Sequence, residues 1–245
     1  MKRNLVLLHG WGVNARVWNS VLPRLSESFA VTALDLPGYG KQAHRRTGTD
    51  LEVLAADVLS RAPIYAVWCG WSFGGMIAMA AALQQPKRIE KLSLVCTSPR
   101  FMEDADWTHG CDESTLAKLA TQFQQDYKKA VARFFLLQLG SNERIRSREL
   151  VDTLTQAPAP SWNSLEDGLN LLRTIDLRDK LADIAIETSV IAGAQDRVMP
   201  RDGGRHLAER IPNAKLLETD SGHAPFITSP DWFVDQLQEF VGANR

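Results

Sequence analysis

The sequence predicts an α/β fold: one mostly parallel sheet with helices on both faces, interrupted by a helical insertion. Three observations predict it. Short, almost wholly apolar runs alternate with helix-like stretches over the first hundred residues and again near the end, as strands buried on both faces do. Strand-like runs vanish between 101 and 175. A serine bracketed by glycines, GWSFG at 70–74, stands where an apolar run turns into an alanine-rich one, the signature of a strand reversing sharply into a helix.

The elements follow in order. NLVLLHG reads as a first strand ending at Gly10, and FAVTALDLPGYG as a second that runs into a turn from Pro37 to Gly40. Leu51, Leu54, Ala55, Val58 and Leu59 recur at helical spacing. PIYAVWCG and IEKLSLVCTSP are the third and fourth strands. The insertion holds three helical stretches: STLAKLATQFQQDYKKAVARFFLLQLG, SRELVDTLTQAP and SWNSLEDGLNLLRTI. IAIETSVIAGAQD and AKLLETDSGH restore the strand pattern, with RDGGRHLAERIP as the crossover helix between them. SPDWFVDQLQEFV closes the chain as a helix, with Ser229 as its expected cap and Pro230 at its first position. Residues 1–100 and 176–245 thus form the core, and 101–175 a helical lid.

A formal net charge of −1 gives no global attraction to nucleic acid or to an anionic surface. Cys69, Cys96 and Cys111 are too few and too scattered for a disulfide framework. Cys69 and Cys96 lie in apolar runs and read as small buried hydrophobes. No run approaches the roughly 18 apolar residues of a membrane span, and the basic start is followed by too short an apolar run for a signal peptide. A cytoplasmic protein without a membrane partner is expected. No histidine pair or cysteine pair has metal-ligand spacing, and neither GYG nor GWSFGG makes a nucleotide-binding loop. The expectation is an activity with no metal and no cofactor.

What remains is nucleophilic chemistry. Ser72 is the candidate nucleophile, held at the C-terminal end of a strand where open α/β sheets place ligands. A weak hydroxyl nucleophile needs a base, and the base needs an orienting carboxylate. In strand–elbow–helix hydrolases the chain order is serine, acid, histidine. Asp196 in GAQDRVMP and His223 in SGHAPF meet that order, each just after a strand. Asp220, Asp202, His206, His44 and His109 compete less well, since they lie on the same short loop as the base, at a helix start or in polar segments. An oxyanion requires two N–H donors; the amides of Phe73, after the nucleophile, and Trp11, in the loop after the first strand, are the candidates. His9 is expected to steady that loop rather than act as the base. In the lid, Phe134, Phe135, Leu136, Leu137 and Leu139 are too many apolar residues for one narrow stripe. Some are expected in an acyl pocket and others in the seam with the core. Lys128, Lys129, Arg133, Arg144, Arg146 and Arg148 read either as a solvated helix face or as a basic rim for an acidic partner.

LVLLHGWGVNARVW, GWSFGG, VARFFLLQ, LLRTIDLRDKL, GAQDRVMP and SGHAPFITSP together resemble the pimeloyl-acyl-carrier-protein methyl ester esterases of biotin synthesis, within the α/β-hydrolase superfamily. The resemblance spans the insertion as well as the core. It implies hydrolysis of the methyl ester on a pimeloyl group carried by acyl carrier protein, with release of methanol. It implies Ser72, His223 and Asp196 as the triad, and Trp11 and Phe73 as donors of oxyanion-hole amides and substrate contacts. Phe134, Phe135, Leu136, Leu137 and Gln138 would be the lid's substrate contacts, and Lys129 and Arg133 would touch the carrier. Arg144, Arg146 and Arg148 are further candidates for the carrier surface, where the alignment is less clean. The partner implied is acyl carrier protein, and the enzyme is expected to be a monomer. Relative to that family the leading strand looks shortened, which would expose a sheet edge and leave the site intact. A broad short-chain carboxylesterase, a carbon–carbon bond hydrolase and a noncatalytic binder on the same scaffold share the core motifs.

Overall fold

The computed structural model describes residues 1–139 and 144–242, and side chains outside 137–147. Its frame is a six-stranded, wholly parallel sheet in the spatial order β2-β1-β3-β4-β5-β6. The strands are β1 (Arg3–Leu8), β2 (Phe29–Leu34), β3 (Ala66–Trp71), β4 (Ile89–Val95), β5 (Thr188–Gly193) and β6 (Ala214–Thr219). β3 and β5 are buried at every position, which is why they read as continuous apolar runs rather than alternating ones. β2 and β6 carry half-exposed residues and lie at the two edges of the sheet.

Helices cover the faces. α1 (Leu22–Ser28) precedes β2, and α2 (Leu51–Arg61) begins where the Asp50 side chain accepts from the amides of Glu52 and Val53, satisfying two of the donors a helix start leaves open. α3 (Phe73–Gln84) is buried from Phe73 to Ala82. A helix apolar all round must be central, and α3 packs on β3, on β4 and on α2.

Among the described residues, four α-helices stand between β4 and β5: α4 (Glu113–Gln125), α5 (Tyr127–Leu139), α6 (Arg144–Thr155) and α7 (Trp162–Thr174). They form the inserted subdomain. α7 is tied to the core loop at 45–48, where the Asp167 carboxylate takes Arg46 Nε and the Gly48 amide, each at 3.0 Å. α8 (Arg201–Arg210) then crosses between β5 and β6. A short α9 (Pro225–Thr228) leads into α10 (Pro230–Val241). Ser229 stands at the cap position of α10 and Pro230 at its first position, as expected, but the Ser229 side chain makes no cap bond, because the residue is also the joint between two helices.

The strand order places the site. The chain leaves β1 to one side to form β2, then returns to the other side as β3. The loops after β1 and β3 therefore diverge at a switch point, where a crevice opens at the C-terminal rim. Trp11 lies in the first of these loops and Ser72 in the second.

Candidate active site

The elbow at Ser72 is built from backbone. Ser72 has φ 55 and ψ −123, a conformation that costs a non-glycine residue and persists only where its surroundings enforce it. They do so here. The Ser72 amide donates to Val95 O of the neighbouring strand at 2.9 Å, and its carbonyl accepts from Thr97 Oγ1 at 2.7 Å. A Cβ on Gly74 would come within 2.5 Å of the His9 carbonyl oxygen, and one on Gly70 within 2.4 Å of the Gly74 carbonyl oxygen. The two glycines thus let the turn close on itself and let the β1 loop close on the turn.

That loop is pinned by His9, which is fully buried. His9 Nε2 accepts from the Leu36 amide at 3.0 Å, and Nδ1 contacts Gly10 O at 2.8 Å as a donor. Burial pushes the His9 pKa down to about 4, against the raising effect of the Gly10 carbonyl. With both nitrogens committed and the ring neutral, His9 holds the loop and is not a base. Beyond it, Trp11 packs its ring against Phe123 of α4 at 4.6 Å and donates Nε1 to Leu165 O of α7 at 3.0 Å. The Trp11 amide has no hydrogen-bond partner among the described residues. The Phe73 amide, at the first position of α3, has no carbonyl one turn back to receive it.

Asp196 and His223 meet. His223 Nδ1 lies 2.8 Å from Asp196 Oδ2, and both side chains are 1% exposed. The other oxygen, Oδ1, accepts from the amides of Val198 at 2.8 Å and Met199 at 2.9 Å, so the carboxylate is held from two directions. An oriented carboxylate fixes the tautomer that leaves Nε2 as the acceptor. His223 Nε2 is buried and makes no hydrogen bond among the described residues. Ser72 Oγ makes none either; the two residues are joined through Trp71. The Trp71 ring lies 5.3 Å from the imidazole, and its Nε1 donates to the His223 carbonyl at 2.7 Å. Serine–imidazole bonds in free enzymes are often long and tighten with substrate. The competing groups stand apart. Asp220 is exposed, and Asp202 pairs with Arg205 at 3.1 Å on α8. His206 and His109 flank Trp107.

The lid closes over His223 with one face of α5 only. Phe134 is half-buried, edge-on to His223 at 6.1 Å and to Phe135 at 5.3 Å. Phe135 is fully buried and stacks on Trp71 at 6.4 Å, in the seam. Leu136 does not join this wall: it is 39% exposed, because successive helical residues lie about 100° apart. The side chains of Leu137, Gln138, Leu139, Arg144 and Arg146 fall outside the described residues. Lys129 is exposed and paired with Asp126 at 3.0 Å, and Lys128 with Asp152 at 3.2 Å. Arg133 and Arg148 are exposed, and Arg148 shares a groove between α5 and α6 with Lys128 and Lys129.

Among the described residues, one group has enough ligand atoms close together to suit a metal: Cys96, Asp196 and His223, within 4.8 Å of one another. Two of its members are already bonded to each other. Cys96, read from sequence only as a small buried hydrophobe, is indeed buried but stands at the rim with φ 44. Its place one step beyond a strand end, level with Ser72, was the signal available. All three cysteines are free thiols.

A strained serine at a strand–helix elbow, two open amides and a buried acid–imidazole pair define a hydrolase of the serine class. Residues 5–236 match the model of the alpha/beta hydrolase family. The chain is 40% identical to a pimeloyl-[acyl-carrier protein] methyl ester esterase of Pectobacterium atrosepticum, over 98% of this chain and 94% of the relative. It is 37% identical to the protein of the same name from Vibrio parahaemolyticus, over 97% and 94%. Among solved structures it is similar to an esterase from Exiguobacterium antarcticum, with a TM-score of 0.88 and 25% identity over 98% of this chain and 92% of that one. A hydrolase from Pseudomonas aeruginosa gives 0.84 and 26% over 98% and 90%. The chain belongs to the alpha/beta hydrolase family, and within it to the group that these methyl ester esterases form.

Proposed function

We propose that the protein is a serine carboxylesterase that hydrolyses the methyl ester of pimeloyl-acyl carrier protein to free pimeloyl-acyl carrier protein and methanol, in biotin synthesis. The observation that carries this reading is likeness along the whole chain, lid included, to esterases named for that substrate. Ser72 is the nucleophile. Its Oγ attacks the ester carbonyl carbon while its proton passes to His223 Nε2. The carbonyl oxygen becomes an oxyanion and takes the amides of Trp11 and Phe73. Collapse expels methanol, which carries the proton from His223. Water then gives a proton to His223 as its oxygen attacks the acyl carbon; the second oxyanion collapses, Ser72 Oγ leaves and takes the proton back from His223, and the acid departs and ionises to the carboxylate. Asp196 orients the imidazole and stabilises its charged form. Each lost oxyanion donor costs about 3 kcal/mol of transition-state stabilisation.

The lid, residues 101–175, supplies the substrate wall through Phe134, and its basic outer face, with Lys129, Arg133 and Arg148, receives the acidic carrier. The enzyme works as a monomer in the cytoplasm without metal or cofactor; no helix among the described residues is long and apolar enough to cross a membrane. The test is methanol release from methyl pimeloyl-acyl carrier protein compared with free methyl esters of varied chain length. A strong preference for the carrier substrate is expected. Turnover of the simple esters alone would replace this reading with a broad esterase.

A further inference from the structure

Among the described residues, two that are not glycine adopt a left-handed backbone: Ser72 with φ 55 and Cys96 with φ 44. They are neighbours. Trp71 and Val95, the last residues of β3 and β4, are paired in register, so Ser72 and Cys96 leave the sheet side by side. Each is anchored to the next strand: Ser72 N to Val95 O at 2.9 Å, and Cys96 N to Ile191 O at 2.8 Å. Backbone strain of this kind collects where a side chain must be aimed. At Ser72 the side chain aimed is the nucleophile. At Cys96 it is a buried thiol whose Sγ lies within 4.8 Å of both the Asp196 carboxylate and the His223 ring, and which donates to the Gly222 carbonyl at 3.8 Å.

We infer that Cys96 is a positioning residue of the acid–base pair: its thiol, held by the strained backbone, braces the Asp196 carboxylate and the loop that carries His223. This rests on the triad proposed above. The Asp196 oxygens already receive two amides and the imidazole, and the thiol's single proton, when it turns from the Gly222 carbonyl, is a further weak donor to the carboxylate within its reach. Burial, and after it the nearby Asp196 carboxylate, raise the thiol well above its ordinary range, so it keeps its proton and stays a donor. A donor there withdraws some of the carboxylate's charge from the imidazole. Turned to the Gly222 carbonyl instead, the same proton ties the residue before the base to the end of β4. Sulfur rather than oxygen suits the span, since contacts to sulfur close at a longer distance than those to a hydroxyl.

The test compares Cys96→Ala, Cys96→Gly and Cys96→Ser by the pH profile of kcat/KM on a small methyl ester, with Ser72→Ala as control. Alanine and glycine are expected to lower kcat about three- to tenfold with KM nearly unchanged. They are also expected to move the acid limb up by about half a pH unit, because a carboxylate relieved of a donor holds the imidazolium more firmly. Serine restores a donor whose shorter reach covers the span less well, and is expected to recover part of both effects. Glycine suits φ 44 without strain and keeps the measurement open if alanine folds poorly. The inference is overturned if glycine or alanine leaves kcat and the acid limb as they were. It is equally overturned if kcat falls while the limb stays fixed and serine recovers nothing, the mark of a purely structural role. If Ser72→Ala remains active, the triad itself is wrong. If it is inactive while the Cys96 variants match the parent, only the role of Cys96 is lost.

Discussion

The rim of the sheet and the lid above it meet at His223, yet they are built on different physics. The rim is made of backbone. A left-handed serine, two glycines whose absent side chains let loops touch, a neutral buried histidine and a carboxylate held by two amides fix its parts to each other. The lid is made of side chains. Phe134 and Phe135 lean on the imidazole and on Trp71, Asp167 clasps the core loop, and exposed ion pairs decorate its outer face. The rim has little freedom to change without losing the chemistry, whereas the lid can change its choice of substrate while the chemistry below is kept. The contrast predicts that rim variants lose activity on every ester and lid variants lose it selectively.

The sharpest break is Ser72→Ala. Turnover of carrier-bound and free esters alike is expected to fall about 10⁴-fold or more, with the thermal midpoint close to that of the parent because the elbow conformation is imposed by its neighbours. Measurable residual turnover on one ester class but not the other would mean that the two substrates do not share this rim.

Next in size is the stability held in His9. Its folded-state pKa, about 4, lies below the ordinary histidine value of 6.5. The fold therefore binds the neutral ring, and its contribution is complete above about pH 6.5 and is lost as pH falls toward 4. The linkage amounts to about 3 kcal/mol over that interval. His9→Asn removes the titration. Urea unfolding at pH 7, 5.5 and 4.5 should show the variant less stable than the parent at neutral pH, with a shallower decline on acidification. Parallel curves would show that His9 is not the group that titrates, and the loop carrying Trp11 would then be held by something else.

A smaller and more selective effect is expected at Phe134. Its ring stands edge-on to His223 and is only half-buried, so Phe134→Ala removes a substrate wall more than a core contact. KM for acyl esters is expected to rise about tenfold for a lost aromatic contact, with kcat nearly unchanged, as steady-state kinetics on a chain-length series would show. An equal fall in kcat would mean that the ring steadies the imidazole, moving Phe134 from the lid's account to the rim's.

The elbow at Ser72 and the pairing of Asp196 with His223 were legible because such parts are written in residue types and chain order. GWSFG, the late Asp196 and His223, and HGWG after the first strand each carry a steric or electronic demand that few other residues meet. The strand pattern showed that these segments share one edge of the sheet. Cys96 was missed because its apolar setting is visible in sequence and its backbone angle is not. Ser229 takes the cap position but not the cap bond, because the signal looks the same whether an extended loop or a short helix precedes it. In the lid, the sequence divides the apolar run from Phe134 to Leu139 between an acyl pocket and the seam with the core without assigning each residue; a helix sends neighbours to different faces, so Phe134 leans on His223, Phe135 on Trp71, and Leu136 lies at the surface. Composition marks a face as apolar or basic. It does not say which residue points where, and for selection that is the whole question.

The gentlest test lies on the outer face of α5. Lys129 is 86% exposed and already paired with Asp126 at 3.0 Å, one helical turn away. Arg133 is exposed and forms no ion pair with a described residue. Exposed pairs hold each other weakly, but a lysine with a carboxylate beside it projects less field toward an incoming acidic carrier than an arginine without one. Arg133→Ser should therefore lower kcat/KM for the carrier substrate more than Lys129→Ser does. The expected losses are several-fold and about twofold, carried by the rate of encounter and shrinking as salt rises through the range where charges on separate molecules are screened. Neither change should alter turnover of a free methyl ester, because both side chains lie outside the rim. An equal loss on the free ester would show that α5 transmits the change to Phe134 and His223, and the division between the two regions would fail at the one helix that joins them.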